Sequence, residues 1–389
     1  MMGAAEAKLK KIAIIGSTGS VGSQALDVIS RNPGRFEVTA LAAYSSAELL
    51  CRQVETFSPS VAVLVKPPEG FVPPKGKTRW YFGEKARDEI CCMGQIDDVL
   101  VSVVGMAGLT AVMECIKNGK RVLLANKETL MAGGDFVMAA AKEKCVEIMP
   151  VDSEHTAIHQ CLLGRKPEEI DKLVLTASGG PFRTWEKEAM LLATAKDALA
   201  HPNWSMGKKI TVDSATMMNK SIEIVEAHHL FDMPGEKIQV AVHPQSIIHS
   251  AVLFKDRSMT ANLSFPDMRI PILYALGESG ALNSGAREFS LFDMPSLSFE
   301  RCDAKKFPLI QMAYDSIAAG GNACVVSNAA NEVAVDAFLK GEIRIGGIID
   351  CIFSCVDRLF SPAKLNYDEI FQQDADARAC ARDYINSIK

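Results

Sequence analysis

Asp152 and Glu154 stand two residues apart in VDSEH, at the end of KCVEIMPVDSEH. The apolar residues of that run read as a buried strand. Alternate residues of an extended chain face the same way, so a strand here would set two carboxylates side by side. Like charges that close oppose each other's ionisation unless a cation lies between them. The pair is therefore either a solvated strand end or half of a metal site, and the stretch alone leaves both open. TVDSATMMNKSIEIVEAHHL holds Asp213, Ser214, Asn219, Lys220, Glu223 and Glu226. Lys220 and Glu223 are three apart and share a helix face, which reads as a surface ion pair if nothing else bears on it. Ser214, Asn219 and Lys220 together offer a hydroxyl, an amide and a point charge, a donor set that suits a phosphate. TASGG, with Ser178, adds a hydroxyl and glycine backbone after a strand, again suited to an anion.

A second anion site is written in GSTGSVG, Gly16 to Gly22, between the apolar KKIAIIG and the helix-spaced SVGSQALDVISRN. That is the context of a dinucleotide-binding turn: glycines for the turn and close packing, and a helix N-terminus with free N–H groups for a pyrophosphate. The spacing is GxxGxxG rather than GxGxxG, and a plain glycine turn is the alternative. The second strand ends in AAYSS, with Tyr44, Ser45 and Ser46 and no acid for a ribose 2′-hydroxyl. Hydroxyls tolerate a 2′-phosphate and a carboxylate repels one, so NADP is expected over NAD. RVLLANKET sets Asn126, Lys127 and Glu128 at the C-terminal end of a later strand, the edge where open parallel sheets bind ligands. HPNWSMG, with His201, Trp204 and Gly207, reads either as a Trp core position or as a lid with a glycine hinge. In HPQSIIHS the period-two apolar residues predict a strand, with His243 and His249 in the core.

The elements that must hold these groups follow from periodicity. Over residues 1–151 strands alternate with helices, which predicts a parallel sheet covered on both faces and a nucleotide-binding domain. VKPPEGFVPPKGKTRW reads as a surface loop within it. Residues 152–280 read as a mixed α/β catalytic domain whose polar loops carry function. Residues 281–311 lack periodicity and read as a linker, and 312–389 as an all-helical domain. The net charge of −5 argues against nucleic acid or an anionic membrane as partner. No run reaches the roughly 18 apolar residues of a membrane helix. Eleven cysteines without a CxxC pair read as free thiols in a reducing compartment, and a cytoplasmic location is expected.

GSTGSVG, LLANKET, VDSEH, LTASGGPF, HPNWSMG, TVDSATMMNK, VHPQSIIHS and NAANEVAVDAF occur in this order from residue 16 to residue 338. As a set they resemble the 1-deoxy-D-xylulose 5-phosphate reductoisomerases. The resemblance implies a Rossmann-like NADPH domain, an α/β catalytic domain and a helical C-terminal domain. It implies rearrangement and NADPH-dependent reduction of a small phosphorylated sugar, Mg²⁺ or Mn²⁺ as cofactor, and a homodimer. By match of position, Asp152, Glu154 and Glu223 are metal ligands. Lys127, Ser153, Glu154, Ser178, His201, Trp204, Ser214, Asn219, Lys220 and Glu223 are substrate positions, with Lys127, Glu154 and His201 the catalytic candidates. Gly16, Thr18, Gly19, Ser20, Val21, Tyr44, Ser45, Ser46, Asn126, Glu128 and Gly207 are cofactor positions. Tyr44 and Ser45 depart from the family's glycine and basic residue, which leaves the 2′-phosphate contacts open. Ser221 stands where a glycine is common and is expected to shift the helix start slightly. Two rivals remain on the residues alone. A semialdehyde dehydrogenase would need a nucleophilic thiol, Cys161 or Cys145. A non-catalytic NADP-binding regulator would leave the carboxylates and polar loops without a role.

Overall fold

A computed structural model describes residues 9–200, 207–277, 282–294 and 296–388. The first half of the chain runs β1 (Lys10–Ile15), α1 (Ser20–Ser30), β2 (Phe36–Ala43), α2 (Ala47–Phe57), β3 (Val61–Leu64), β4 (Arg79–Phe82), α3 (Glu84–Glu89), β5 (Asp98–Val101), α4 (Ala107–Lys117), β6 (Arg121–Leu124), α5 (Glu128–Glu143), β7 (Ile148–Pro150) and α6 (Ser153–Cys161). It continues with β8 (Ile170–Ala177), α7 (Lys187–Leu191), α8 (Ala195–Ala198), α9 (Lys208–Thr216), α10 (Met218–Phe231), β9 (Ile238–Val242), β10 (Ile248–Phe254), β11 (Met259–Leu263), α11 (Arg269–Ala275) and β12 (Glu300–Arg301). Four helices close it: α12 (Pro308–Ala319), α13 (Ala323–Leu339), α14 (Ile345–Leu359) and α15 (Tyr367–Ile388). None of the described helices is long and apolar enough to cross a membrane.

The chain packs as two compact units. The first comprises Met1–Thr129, Val137–Thr156 and Asp267–Glu288. Its seven strands are all parallel in the order β4-β3-β2-β1-β5-β6-β7. The order reverses between β1 and β5, and crevices for ligands open at such switch points on the C-terminal edge. Central strands buried on both faces need continuous apolar runs; Ile12, Ile14 and Ile15 of β1 are fully buried. One expectation fails here. RWYF, at the end of the Pro- and Gly-rich loop, pairs in parallel with β3 and forms the edge strand β4. Residues 267–288 return to this unit, where Lys10 Nζ and Arg121 Nη1 donate to the carbonyls of Leu276 (2.8 Å) and Ala275 (2.8 Å) at the end of α11. Cations at a helix C-terminus satisfy its free carbonyls and favour its dipole.

The second unit comprises Leu130–Phe136, Ala157–Pro266 and Phe289–Lys389. Its mixed sheet runs β11-β10-β8-β9-β12, with β8 parallel to β9 and antiparallel to β10. One apolar core joins this sheet to α10 and the C-terminal helices, running from Leu173 and Phe254 through Ile222 to Phe338 and Ile352. His243 and His249 are both buried, but the strand expected over HPQSIIHS begins only at Ile248. His243 lies in the turn after β9, its Nδ1 directed to Ser298 O (2.9 Å), while its Nε2 accepts from Ile247 N (3.1 Å).

At the C-terminal turn of α10, burial pushes His229 down to about pKa 4 from 6.5, the neighbouring His228 adds to the shift, and Asp135 opposes it. The unfolded chain takes up this proton below about pH 6.5 and the folded chain only near pH 4. The stability this group contributes is thus fully present above pH 6.5 and is lost as pH falls toward 4, by about 3 kcal/mol at most. His229→Gln should flatten the melting temperature across that window. Equal slopes in variant and wild type would refute the assignment.

Candidate active site

The site groups of the first unit lie along the C-terminal edge of its sheet. After β1 the chain turns at Gly16 (φ 93°), whose N–H and that of Ser17 both donate to Ala42 O at 2.9 Å. Gly19 caps α1. A Cβ on Gly22 would stand 2.3 Å from Gly16 O, so the helix sits against the turn only because no side chain intervenes. The turn is also clamped from outside the motif. Ser17 Oγ donates to Gln53 Oε1 and Gln53 Nε2 to Ser17 O, both at 2.8 Å, and Ser102 Oγ donates to Ile15 O at 3.0 Å. Thr18 and Val21 are half-buried and Gly19 and Ser20 exposed, which leaves the helix N-terminus open to a ligand. Tyr44, Ser45 and Ser46 form an exposed ledge past β2. Asn126 and Glu128, by contrast, are buried. Asn126 Nδ2 donates to Val103 O (2.8 Å) and Glu128 Oε2 (3.0 Å), while its Oδ1 accepts from Thr129 N (3.1 Å). Asn126 thus ties down the segment after β5, and Glu128 accepts from Asn126.

VDSEH is not a strand end. β7 stops at Pro150 and α6 starts at Ser153. Asp152 Oδ1 accepts from Glu154 N at 3.1 Å, as a helix-capping Asp does. The two carboxylates therefore occupy a cap and a first turn rather than alternate strand positions. Asp152 Oδ2 accepts from Lys127 Nζ at 2.6 Å, and the buried His155 sets its Nδ1 3.1 Å from Asp152 Oδ1. Burial pushes the Asp152 carboxyl up, but the Lys127 ammonium and the His155 hydrogen bond outweigh it and hold the group well below the usual carboxylate range. Ser153 Oγ donates to Glu154 Oε2 at 2.6 Å. Lys127, Asp152, Ser153 and Glu154 are thus brought together at the ends of β6 and β7.

In the second unit TVDSATMMNKS is helical, not a loop: α9 and α10 meet at Met217, which is left-handed (φ 62°). Ser214, in the last turn of α9, and Asn219, in the first turn of α10, are both half-buried on either side of this corner. Ser221 lies inside α10, its Oγ donating to Met217 O at 3.1 Å; the helix still begins at Met218. Lys220 Nζ donates to Glu223 Oε2 and Asn219 Nδ2 to Glu223 Oε1 (2.6 Å). Lys220 and Glu223 are 3% and 1% exposed, so this is a buried ion pair and not the surface pair that spacing alone allows. The TASGG turn lies against the same corner: a Cβ on Gly180 would stand 2.5 Å from Ser214 O, and Ser178 Oγ accepts from Gly180 N at 3.3 Å. Asp213, next to Ser214, accepts from Lys209 Nζ (2.9 Å) and from Asn331 Nδ2 of α13 (2.9 Å). Gly207 is described and exposed ahead of α9; His201 and Trp204 lie outside the described residues.

Sequence reasoning missed Gln53, Ser102, Thr129, His155 and Asn331 as supports. Thr129, His155 and Asn331 lie in motifs named above, and only their partners were hidden. The rival thiols fare poorly. Burial pushes Cys161 up to about 11, far from a thiolate at neutral pH. Cys145 precedes β7 and so lies at the edge of the parallel sheet opposite the glycine turn. The donors at Asp152, Glu154 and Glu223 are all carboxylate oxygens, the chemistry that a hard divalent cation takes.

Three family models match the chain: 1-deoxy-D-xylulose 5-phosphate reductoisomerase over residues 12–134, its C-terminal domain over 148–231, and the DXP reductoisomerase C-terminal domain over 263–380. A 1-deoxy-D-xylulose 5-phosphate reductoisomerase of Bacteroides fragilis is 44% identical over 98% of this chain and 99% of its own. One of a Janthinobacterium species is 43% identical over 97% and 100%. Among solved structures, a DOX-P reductoisomerase in complex with NADPH, fosmidomycin and magnesium superposes with TM-score 0.90 at 35% identity, covering 98% of this chain and 99% of that one. The Zymomonas mobilis enzyme in complex with NADPH gives the same TM-score and identity, over 98% and 100%.

Proposed function

Since the chain belongs to the 1-deoxy-D-xylulose 5-phosphate reductoisomerase family, we propose that Asp152, Glu154 and Glu223 hold its divalent cation and that the neighbouring donors hold its substrate. The chain is an NADP-dependent oxidoreductase that rearranges and reduces 1-deoxy-D-xylulose 5-phosphate to 2-C-methyl-D-erythritol 4-phosphate, a step of non-mevalonate isoprenoid precursor synthesis. NADPH and a divalent metal are its cofactors. The observation that carries the site reading is the Lys127–Asp152 pair. It stands on the same sheet edge as the glycine turn, with β6 two places from β1, about 10 Å at ordinary strand spacing.

The bound cation supplies Lewis acidity at the oxygens of the reacting carbons, and NADPH supplies the hydride. The rest falls to the chain's own residues. Gly16, Gly19, Thr18, Ser20 and Val21 present the turn and helix N-terminus to the pyrophosphate. Asn126, Glu128 and Gly207 are further cofactor positions, and Tyr44, Ser45 and Ser46 lie where the adenosine ribose of a Rossmann domain binds. Ser178, Ser214, Asn219 and Lys220 grip the substrate phosphate. Lys127 and Glu154 move protons at the substrate oxygens: Lys127 as donor while its ammonium is held by Asp152, Glu154 as acceptor with Ser153 bonded to it. His201 and Trp204 are assigned to the substrate on the family match alone, and the 201–207 stretch to covering it and excluding water. The functional division proposed is 1–151 for cofactor, 152–280 for metal and substrate, 281–311 as linker and 312–389 as helical support. A homodimer and a cytoplasmic location are proposed on the same footing, the first to be checked by light scattering.

The deciding experiment follows NADPH absorbance with 1-deoxy-D-xylulose 5-phosphate, with Mg²⁺ and with chelator. Oxidation that needs the metal is expected. Oxidation that survives chelation would return Asp152 and Glu154 to acid–base or structural work.

A further inference from the structure

The ledge past β2 offers hydroxyls but no cation within its own segment, although NADPH carries a 2′-phosphate dianion that must be met there. Strand pairing supplies the missing charge. β3 runs parallel to β2, with Ala43 opposite Leu64. The pairing continues beyond both strands: Val65 N donates to Ala43 O at 2.9 Å and Lys66 N to Tyr44 O at 2.6 Å. Lys66 is thereby pinned by its backbone directly alongside Tyr44, at the exposed end of the ledge. Pro67 and Pro68 follow it, and a residue before proline is held to extended backbone, so the position is fixed from both sides. Arg52, the cation of α2, is paired with Glu48 one turn earlier. Among the described residues no carboxylate pairs with Lys66.

We propose that Lys66 is the residue that selects NADPH over NADH in this chain, its ammonium meeting the 2′-phosphate with the hydroxyls of Ser45 and Ser46. This rests on the cofactor reading above. In a Rossmann sheet the adenosine ribose binds at the C-terminal end of the second strand, where a basic residue accommodates a 2′-phosphate. Here the charge comes from the adjacent strand instead of from the segment after β2. A lysine suffices because the contact is that of a point charge with an exposed phosphate.

The test measures dissociation constants of NADPH and NADH separately, by nicotinamide fluorescence, on the full-length enzyme without substrate. Lys66→Ala should weaken NADPH about tenfold, the worth of one charge-assisted hydrogen bond, and leave NADH unchanged. Lys66→Arg should keep most of the preference, and Lys66→Glu should weaken NADPH further. Rising salt should erode the wild-type preference and not that of Lys66→Ala. Equal weakening of both cofactors, or an intact preference in Lys66→Ala, would overturn the role of Lys66 while NADPH stands. A wild-type enzyme that binds the two cofactors alike would overturn the NADP reading itself and Lys66 with it.

Discussion

Asp152→Asn is expected to lower kcat by about 10²–10³-fold, the scale of losing one directed charge at a reacting centre. The Asn side chain keeps the shape and still accepts from Glu154 N, so α6 should start where it does now. What it loses is the charge that the Lys127 ammonium meets at 2.6 Å and one of three carboxylates assigned to the cation. Excess metal should restore part of the turnover. Full turnover in this variant without added metal would remove Asp152 from the metal site. The same substitution has a pH signature. A carboxyl held below its ordinary value in the folded chain adds stability above the unfolded pKa, about 3.9, and loses it as pH falls through the lower folded value. The wild type should therefore lose stability below about pH 4 with a component that the variant lacks. Melting temperatures from pH 2 to 7 would reveal it, and parallel curves would count against the Lys127 and His155 contacts as the cause.

Lys220→Ala should act twice, and the two effects can be separated. Its ammonium is assigned to the substrate phosphate, and removing a charge-assisted hydrogen bond of about 1.5–3 kcal/mol should raise KM by about 10- to 10²-fold with a smaller change in kcat. It is also the buried partner of Glu223. Breaking a buried pair from one side costs about 3–5 kcal/mol because the remaining charge is uncompensated. The variant should thus melt well below the wild type. Lys220→Met combined with Glu223→Gln refills the volume without a stranded charge and should recover much of the stability. It should leave KM high, and turnover should fall as well because a metal position is lost. An unchanged KM in folded Lys220→Ala would end the phosphate assignment whatever the stability shows.

The parts that sequence alone determined are those set by neighbours in the chain. GSTGSVG between an apolar run and a helical run fixes a turn whose glycines leave the helix N-terminus bare. Lys220 and Glu223 meet because three residues of helix bring them to one face. His249 is carried into the core by β10, whereas His243 is buried from a turn, outside any strand. The misread stretches fail for local reasons too. The apolar run through Val151 hides a helix start that Asp152 caps with a single hydrogen bond. RWYF, at the end of a Pro- and Gly-rich loop, is too short to announce the edge strand β4. Tertiary structure alone decided the rest. Asn331 reaches Asp213 across 118 positions, and Lys10 closes the end of α11 across 266. Lys66 comes to stand beside Tyr44 because β3 pairs with β2. Periodicity records which face of an element is buried, but not which other element covers it. A charge finds its partner only after the elements within each unit have packed, and that long-range choice sets the electrostatics around the site residues.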